Sequence, residues 1–193
     1  MQDAKQHGSR WPRGPFPLKY AWAAVEARLA AEPPIAESLT GLGLALGEGH
    51  DDEPYYAVAA GPGAVDLPAL RARVAGRRIS VFRWAPDPER VVLVASPDPM
   101  DAVVAVGVAG PHQGVGNRAV VRFLVHLRAF ARIDLDTLGE AALSLSCVPE
   151  GPEAAERIAE RALQLCPALA SVGVGGLASA LSTSGRLDLA WPA

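Results

Sequence analysis

Cysteine, sustained basic tracts and long apolar runs are scarce in this sequence, and each scarcity excludes a class of protein. The two cysteines, Cys147 and Cys166, are too few for the disulfide framework of a small secreted domain. No run approaches the roughly eighteen apolar residues of a membrane-spanning helix, so we expect no membrane partner. A net charge of -3 without a basic tract argues against nucleic acid as a partner.

The composition and the N-terminal segment bound the organisation of the chain. Hydrophobic residues make up 50% and charged residues 20% of the 193 residues, which is typical of a globular domain. Residues 1–17 contain prolines and glycines but no periodicity, which predicts a flexible arm. They also lack the hydrophobic core of a secretion signal, which favours a cytoplasmic protein. We expect one domain over residues 18–193, with 61–66 as a subdomain boundary.

The stretch that dominates the sequence runs from residue 102 to residue 131. Its first part, AVVAVGV at 102–108, is apolar and rich in valine, which predicts a short strand buried on both faces. A glycine-rich loop follows, and from Asn117 onward apolar residues recur at helical spacing. Asn117 is a favourable N-cap residue, so we expect the helix to begin there.

Hairpin patterns recur elsewhere in the chain. Residues 79–84 and 90–95 flank an Ala-Pro-Asp-Pro turn, and residues 132–136 and 141–148 flank a turn within DTLGE. Residues 39–48 also resemble a strand. Together with intervening helical patterns, these hairpins predict an α+β fold (an α/β sandwich). We expect a mainly antiparallel sheet with helices packed on it and residues 102–108 near its centre.

The glycine-rich loop is the best candidate for a small-anion site. A loop that leads into a helix N-terminus can direct amides and the helix dipole at an anion. The polar residues placed to assist are His112, Arg118 and Arg122, with Gly110 and Asn117 framing the loop. No Lys-Ser or Lys-Thr pair closes a phosphate loop, and the glycines do not keep the dinucleotide-binding order. A simple capped turn is the competing interpretation.

Other chemistry-bearing residues do not form a recognisable constellation. His50, Asp51, Asp52 and Glu53 are adjacent in one loop, and adjacent residues seldom converge on one ion without ligands from elsewhere. Both cysteines fall on apolar faces, where a thiol is unreactive. We therefore expect no metal, no cofactor and no catalytic residue.

Several segments of the C-terminal half occur in an order that resembles a known family. RVVLV precedes DAVVAVG, the Gly110-Pro111 loop and a helix that ends in HLRAF, and DTLGEAALSLS follows. Cys166-Pro167 then precedes a Gly-x-Gly-x-Leu sequence and a strand that contains Trp191. In this order, residues 90–191 resemble the bacterial family called domain of unknown function 4253.

The resemblance implies an α/β sandwich with no established activity. This chain departs from the family pattern at two places. Val108 and Ala109 stand where a tryptophan is expected beside the Gly-Pro loop, and Ala168 stands where an acidic residue is expected after Cys-Pro. If those polar or aromatic residues form the family's site, this chain has lost it.

The missing catalytic, metal and cofactor motifs favour a non-catalytic protein-binding module over an enzyme. We expect an immunity, adaptor or assembly component of a bacterial cytoplasmic system. Its partner contacts would be the Gly110–Asn117 loop and the N-terminal arm with Trp11 and Phe16. One alternative is a small-anion or nucleotide-binding enzyme or sensor that uses the 107–118 loop. Another is a structural subunit of a homo-oligomer, joined through the apolar N-terminal helix.

Overall fold

A computed structural model describes residues 16–33, 35–47, 55–61 and 63–192. Trp11 and the His50–Glu53 loop lie outside these residues, as do most of the arm at 1–17. Within them the chain forms seven helices: α1 (Trp22–Leu29), α2 (Ile35–Leu42), α3 (Leu67–Val74), α4 (Pro99–Val106), α5 (Asn117–Leu127), α6 (Pro152–Leu165) and α7 (Gly173–Ser184). The seven strands are β1 (Ala45–Leu46), β2 (Tyr56–Ala60), β3 (Ser80–Trp84), β4 (Asp87–Val94), β5 (Ala131–Gly139), β6 (Ala142–Pro149) and β7 (Arg186–Ala190).

All seven strands belong to one mixed sheet in the order β1-β2-β4-β3-β5-β6-β7. Strands β3 and β5 are parallel, and every other neighbouring pair is antiparallel. The predicted α+β fold with a mainly antiparallel sheet is therefore confirmed. Short 3-10 turns at Leu18–Tyr20, Pro111–Gln113 and Pro167–Ser171 complete the connections.

Helices cover the two faces of the sheet unequally. On one face, α1 and α4 to α7 pack against side chains from β2 to β7. On the other face, α2 and α3 cover only the part of the sheet formed by β2, β3 and β4. The uncovered face of β5 to β7 therefore carries exposed polar residues such as Asp134, Ser146 and Asp188. This alternation is typical of an antiparallel sheet with one solvated face.

The predicted strand at 102–108 is wrong, because these residues lie in and just after α4. Asp98 is the N-cap and accepts a hydrogen bond from the amide of Met100 at 3.0 Å, and Pro99 occupies the first turn. Gly107, in the left-handed conformation at φ 73°, ends the helix. Between these ends all but Ala105 of residues 100–106 are buried, and all of them except Asp101 are apolar. A uniformly buried helix has no amphipathic period that would distinguish it from a strand.

The predicted strand at 39–48 is also wrong over its first half. Ile35, Leu39 and Leu42 follow a helical spacing and are buried in the cluster beneath the sheet. Gly43 at φ 69° then ends α2, and only Ala45 and Leu46 pair with β2. The glycines of LTGLGLALG mark the end of a helix rather than the interior of a strand.

The two central hairpins and the terminal strand agree with the sequence prediction. Strands β3 and β4 pair antiparallel around residues 85–86, and β5 and β6 pair around residues 140–141.

On both sides of the proposed boundary at 61–66, residues contribute to the same buried cluster against the sheet. Among the described residues, no helix has the length and apolarity needed to cross a membrane.

Candidate binding surface around Trp191

The glycine-rich loop is largely closed on itself. Gly110 and Val115 exchange backbone hydrogen bonds of 2.7 and 2.9 Å, and the amides of Gln113 and Gly114 donate to carbonyls of the same loop. His112 is exposed on the 3-10 turn that forms the outer part of the loop. Because these amides already have acceptors, the loop does not direct them at an external anion.

Asn117 has a different role from the predicted N-cap. The N-cap residue of α5 is Gly116, and Asn117 is the first residue of the helix. Its side-chain nitrogen Nδ2 donates to the carbonyl oxygens of Val103 at 2.8 Å and Val108 at 3.0 Å. These carbonyls lie near the C-terminal end of α4, and that of Val103 also accepts from the backbone amides of Gly107 and Val108. Asn117 therefore connects α4 to α5.

The two arginines predicted for the site lie on α5. The guanidinium of Arg118 lies 4.6 Å from the centre of the Phe16 ring, a cation–π contact. Phe16 itself is buried in the main core, so its ring is part of the fold rather than of an exposed arm. Arg122 is exposed on α5.

Gly110 instead belongs to a site that centres on Trp191. A Cβ atom at position 110 would lie 2.3 Å from Cδ1 of Trp191, so only glycine allows the indole to lie against this backbone. The indole is 2% exposed, and its Nε1 donates to the carbonyl of Leu165 at 2.9 Å. The backbone amide of Trp191 donates to the carbonyl of Ala141 at 2.9 Å. The tryptophan is therefore fixed from three directions.

Further hydrogen bonds draw the surrounding segments together. The thiol of Cys166 donates to the carbonyl of Ala190 at 3.1 Å, and the amide of Ala109 donates to the carbonyl of Glu140 at 2.8 Å. The side chain of Gln113 donates to the carbonyl of Pro192 at 3.0 Å. Segments that are far apart in the sequence thus meet at one end of the sheet: the Gly-Pro loop, the β5–β6 turn, the Cys-Pro turn and the terminal strand.

A recess of about 510 Å³ lies beside Trp191 at this end of the sheet. Its lining consists of Ala85, Pro86, Gly139–Ala142, Ala168 and Ala190–Pro192. The small side chains leave the floor shallow and apolar, and Glu140 is the one ionisable side chain among the described residues that line it. Ala168, where the family resemblance leads us to expect an acid, is one wall. None of the described residues that line the recess is a nucleophile or belongs to an acid–base pair.

Sequence reasoning did not identify this recess, although signals for it existed. The glycine-rich loop predicts Gly110 as part of an anion site. The family resemblance places Trp191 in a terminal strand. Their contact joins residues from opposite ends of the C-terminal half, and no sequence period links such positions. The combination of a Gly-Pro loop and a terminal tryptophan in one family pattern is the signal that relates them.

A second polar cluster fixes α1 against the start of α4. Asp101 is fully buried and forms an ion pair with Arg28, whose Nε donates to it at 3.0 Å. Ser96 Oγ donates to the same carboxylate at 2.8 Å. The hydrogen bond to Asp101 raises the pKa of Arg28. Because Arg28 and Ser96 both bond to the carboxylate of Asp101, this cluster connects α1 to the start of α4.

The two cysteines lie in the core. Burial raises the pKa of the Cys147 thiol to about 11, which opposes formation of a reactive thiolate. Within the described part of the chain, no three histidine, cysteine, aspartate or glutamate side chains are grouped so that they could hold a metal ion.

No family model, curated protein or solved structure matches this chain. The resemblance to domain of unknown function 4253 therefore stays a prediction.

Proposed function

We propose that this protein is a non-catalytic protein-binding module that recognises its partner through the recess beside Trp191. The observation that carries the proposal is the lining of the recess. Alanine, glycine and proline form nearly all of it, around a tryptophan held by hydrogen bonds to Leu165 and Ala141. A rigid apolar surface of this kind loses little conformational entropy when a partner binds.

The chemistry of the recess defines the partner. The apolar floor accepts an aliphatic or aromatic side chain, since burial of apolar surface drives such contacts. Glu140 is exposed at the margin and favours a lysine or arginine beside that side chain. The expected partner is therefore a protein segment with an apolar anchor flanked by a basic residue.

The proposal places the chain in a bacterial cytoplasmic system as an immunity, adaptor or assembly component. Residues 1–15, with Trp11, supply a second contact with the partner. Phe16 is excluded from this contact because its ring is part of the core. The alternative of an anion sensor at residues 107–118 receives less support, because amides of that loop donate to its own carbonyls.

The test compares partner capture by the full chain and by two variants from one 3-10 turn. Ala168→Asp places a charge in the recess, whereas Ala170→Asp places the same charge on an exposed residue that does not line it. A partner captured at equal stoichiometry by the native chain and by Ala170→Asp, but lost with Ala168→Asp, supports the proposal. Equal capture by all three proteins would reject the recess as the binding surface.

A further inference from the structure

A second recess lies between α5 and α6 and shares no lining residue with the one beside Trp191. Its volume is about 360 Å³, and its floor is formed by the buried side chains of Phe123, Leu127 and Ile158. Pockets for small ligands span about 300–1,000 Å³, so this one suits a compact molecule rather than a nucleotide.

The rim of this recess combines an aromatic ring with cationic groups. Phe130 is half-buried, and its ring meets the His126 imidazole edge-to-face at a centroid distance of 4.9 Å. The guanidinium of Arg157 lies 5.9 Å from the centre of the Phe130 ring. The rim thus presents π surface and positive charge together, above an apolar floor.

Among the charged side chains that line the recess beside His126, arginines outnumber acids. Arg157 and Arg161 lie one helical turn apart on α6, and Glu160 is the one acid among the described residues of the lining. Glu153 is 3.8 Å from Arg157, at the outer limit of an ion pair, and both side chains are well exposed. Burial lowers the pKa of His126, and the charge of Arg161 lowers it further. The arginines therefore attract an anion at the rim, and the attraction of Arg157 is reduced by its exposure to water.

We propose that this recess binds a small monocarboxylate with an aromatic or aliphatic body. The body of such a ligand fills the apolar floor, and its carboxylate faces Arg157 and Arg161 at the rim. Glu160 limits the anionic charge that the site tolerates, which favours one carboxylate over a phosphate dianion. Since the two recesses share no residue, this inference is independent of the partner proposed above.

Three probes separate the parts of the proposal. Phenylacetate has both the ring and the charge, phenylacetamide keeps the ring without the charge, and acetate keeps the charge without the ring. Phenylacetate is expected to bind with a Kd in the millimolar range, as is usual for a ligand of this size. Phenylacetamide and acetate should each bind at least about fivefold more weakly, since each lacks one of the two interactions.

Binding is measured by titration of the full chain with NMR detection of the His126 ring. Phenylacetate should shift the His126 signals and raise the pKa of His126, because its carboxylate opposes the charge of Arg161. The signals of exposed His112 should not change. Equal affinity for phenylacetate and phenylacetamide, or no probe-dependent change at His126, would overturn the proposal.

Charge variants supply the matched control. Arg157→Gln should weaken phenylacetate binding by roughly fivefold and Glu160→Gln should strengthen it, since both side chains are exposed on α6 and line the recess. Arg186→Gln removes an exposed arginine from β7, outside the recess, and should leave the Kd unchanged. Equal weakening by Arg157→Gln and Arg186→Gln would show only a general charge effect and contradict the assignment.

Discussion

The backbone of Gly110 and the indole of Trp191 are in direct contact, and a Cβ atom on residue 110 would lie within 2.3 Å of the ring. This contact joins the loop after α4 to the end of the terminal strand. It holds one wall of the recess in place together with the hydrogen bond from Nε1 of the same indole to the carbonyl of Leu165. Recess geometry and core packing therefore depend on one glycine.

Gly110→Ala should lower the free energy of unfolding by about 2 kcal/mol, because the indole must shift from a well-packed position. Gly63→Ala is the control, since Gly63 is exposed, its φ is outside the left-handed region and a Cβ there meets no atom within 4 Å. We expect the control to change stability by less than about 0.5 kcal/mol. Urea denaturation measures both, and equal losses would show that the Trp191 contact is not the cause.

Substitutions at Asn117 can distinguish a side-chain hydrogen-bond donor from an N-cap residue. Asn117→Ala should cost about 1–2 kcal/mol, because the carbonyls of Val103 and Val108 each lose one donor. Asn117→Asp should cost more, since a carboxylate would face both carbonyl oxygens. An N-cap residue would tolerate aspartate well. Thermal unfolding that ranks the aspartate variant equal to the native chain would therefore contradict the observed role.

Loss of Arg28 and loss of Asp101 should lower the free energy of unfolding by different amounts. Arg28→Met leaves a fully buried carboxylate without its cation and should cost about 3 kcal/mol. Asp101→Asn should cost less, because the Arg28 side chain is 41% exposed and water can solvate it. Chemical denaturation of both variants measures the difference. A larger loss for Asp101→Asn would contradict the assignment of Asp101 as the more deeply buried partner.

His126 should make stability depend on pH. Burial lowers its pKa in the folded state below the ordinary value of 6.5, so the unfolded chain takes up the proton more readily. The contribution of neutral His126 is therefore complete above pH 6.5 and decreases as the pH falls through that value toward the lower folded pKa. Thermal unfolding of the native chain and of His126→Gln should diverge in this direction on acidification. Parallel pH profiles would exclude His126 as the cause.

Local patterns predicted the elements that have one solvated side. Strand β7 alternates exposed and buried residues, and the β3–β4 and β5–β6 hairpins have recognisable turns. Helix α4 was misassigned because its surroundings are apolar on nearly every side, which removes the helical period from the sequence. Asp98 followed by Pro99 is the local start signal for this helix, and the strand prediction for 102–108 does not use it.

The candidate binding surface was less predictable than the fold. Its central contact joins Gly110 to Trp191, and such long-range packing depends on how the sheet and helices assemble rather than on local sequence. The glycine loop predicts an anion site, and the structure shows in addition that Gly110 allows close packing against Trp191.

Photo-crosslinking tests the central claim most directly. p-Benzoylphenylalanine is placed at Ala168 in the recess or, as a control, at exposed Ala180 on α7, and each protein is irradiated with the captured partner. The account predicts an adduct from position 168 and none from position 180, with the crosslink on a partner segment that has an apolar residue beside a lysine or arginine. Crosslinking from position 180 but not from position 168 would contradict the recess beside Trp191 as the binding surface.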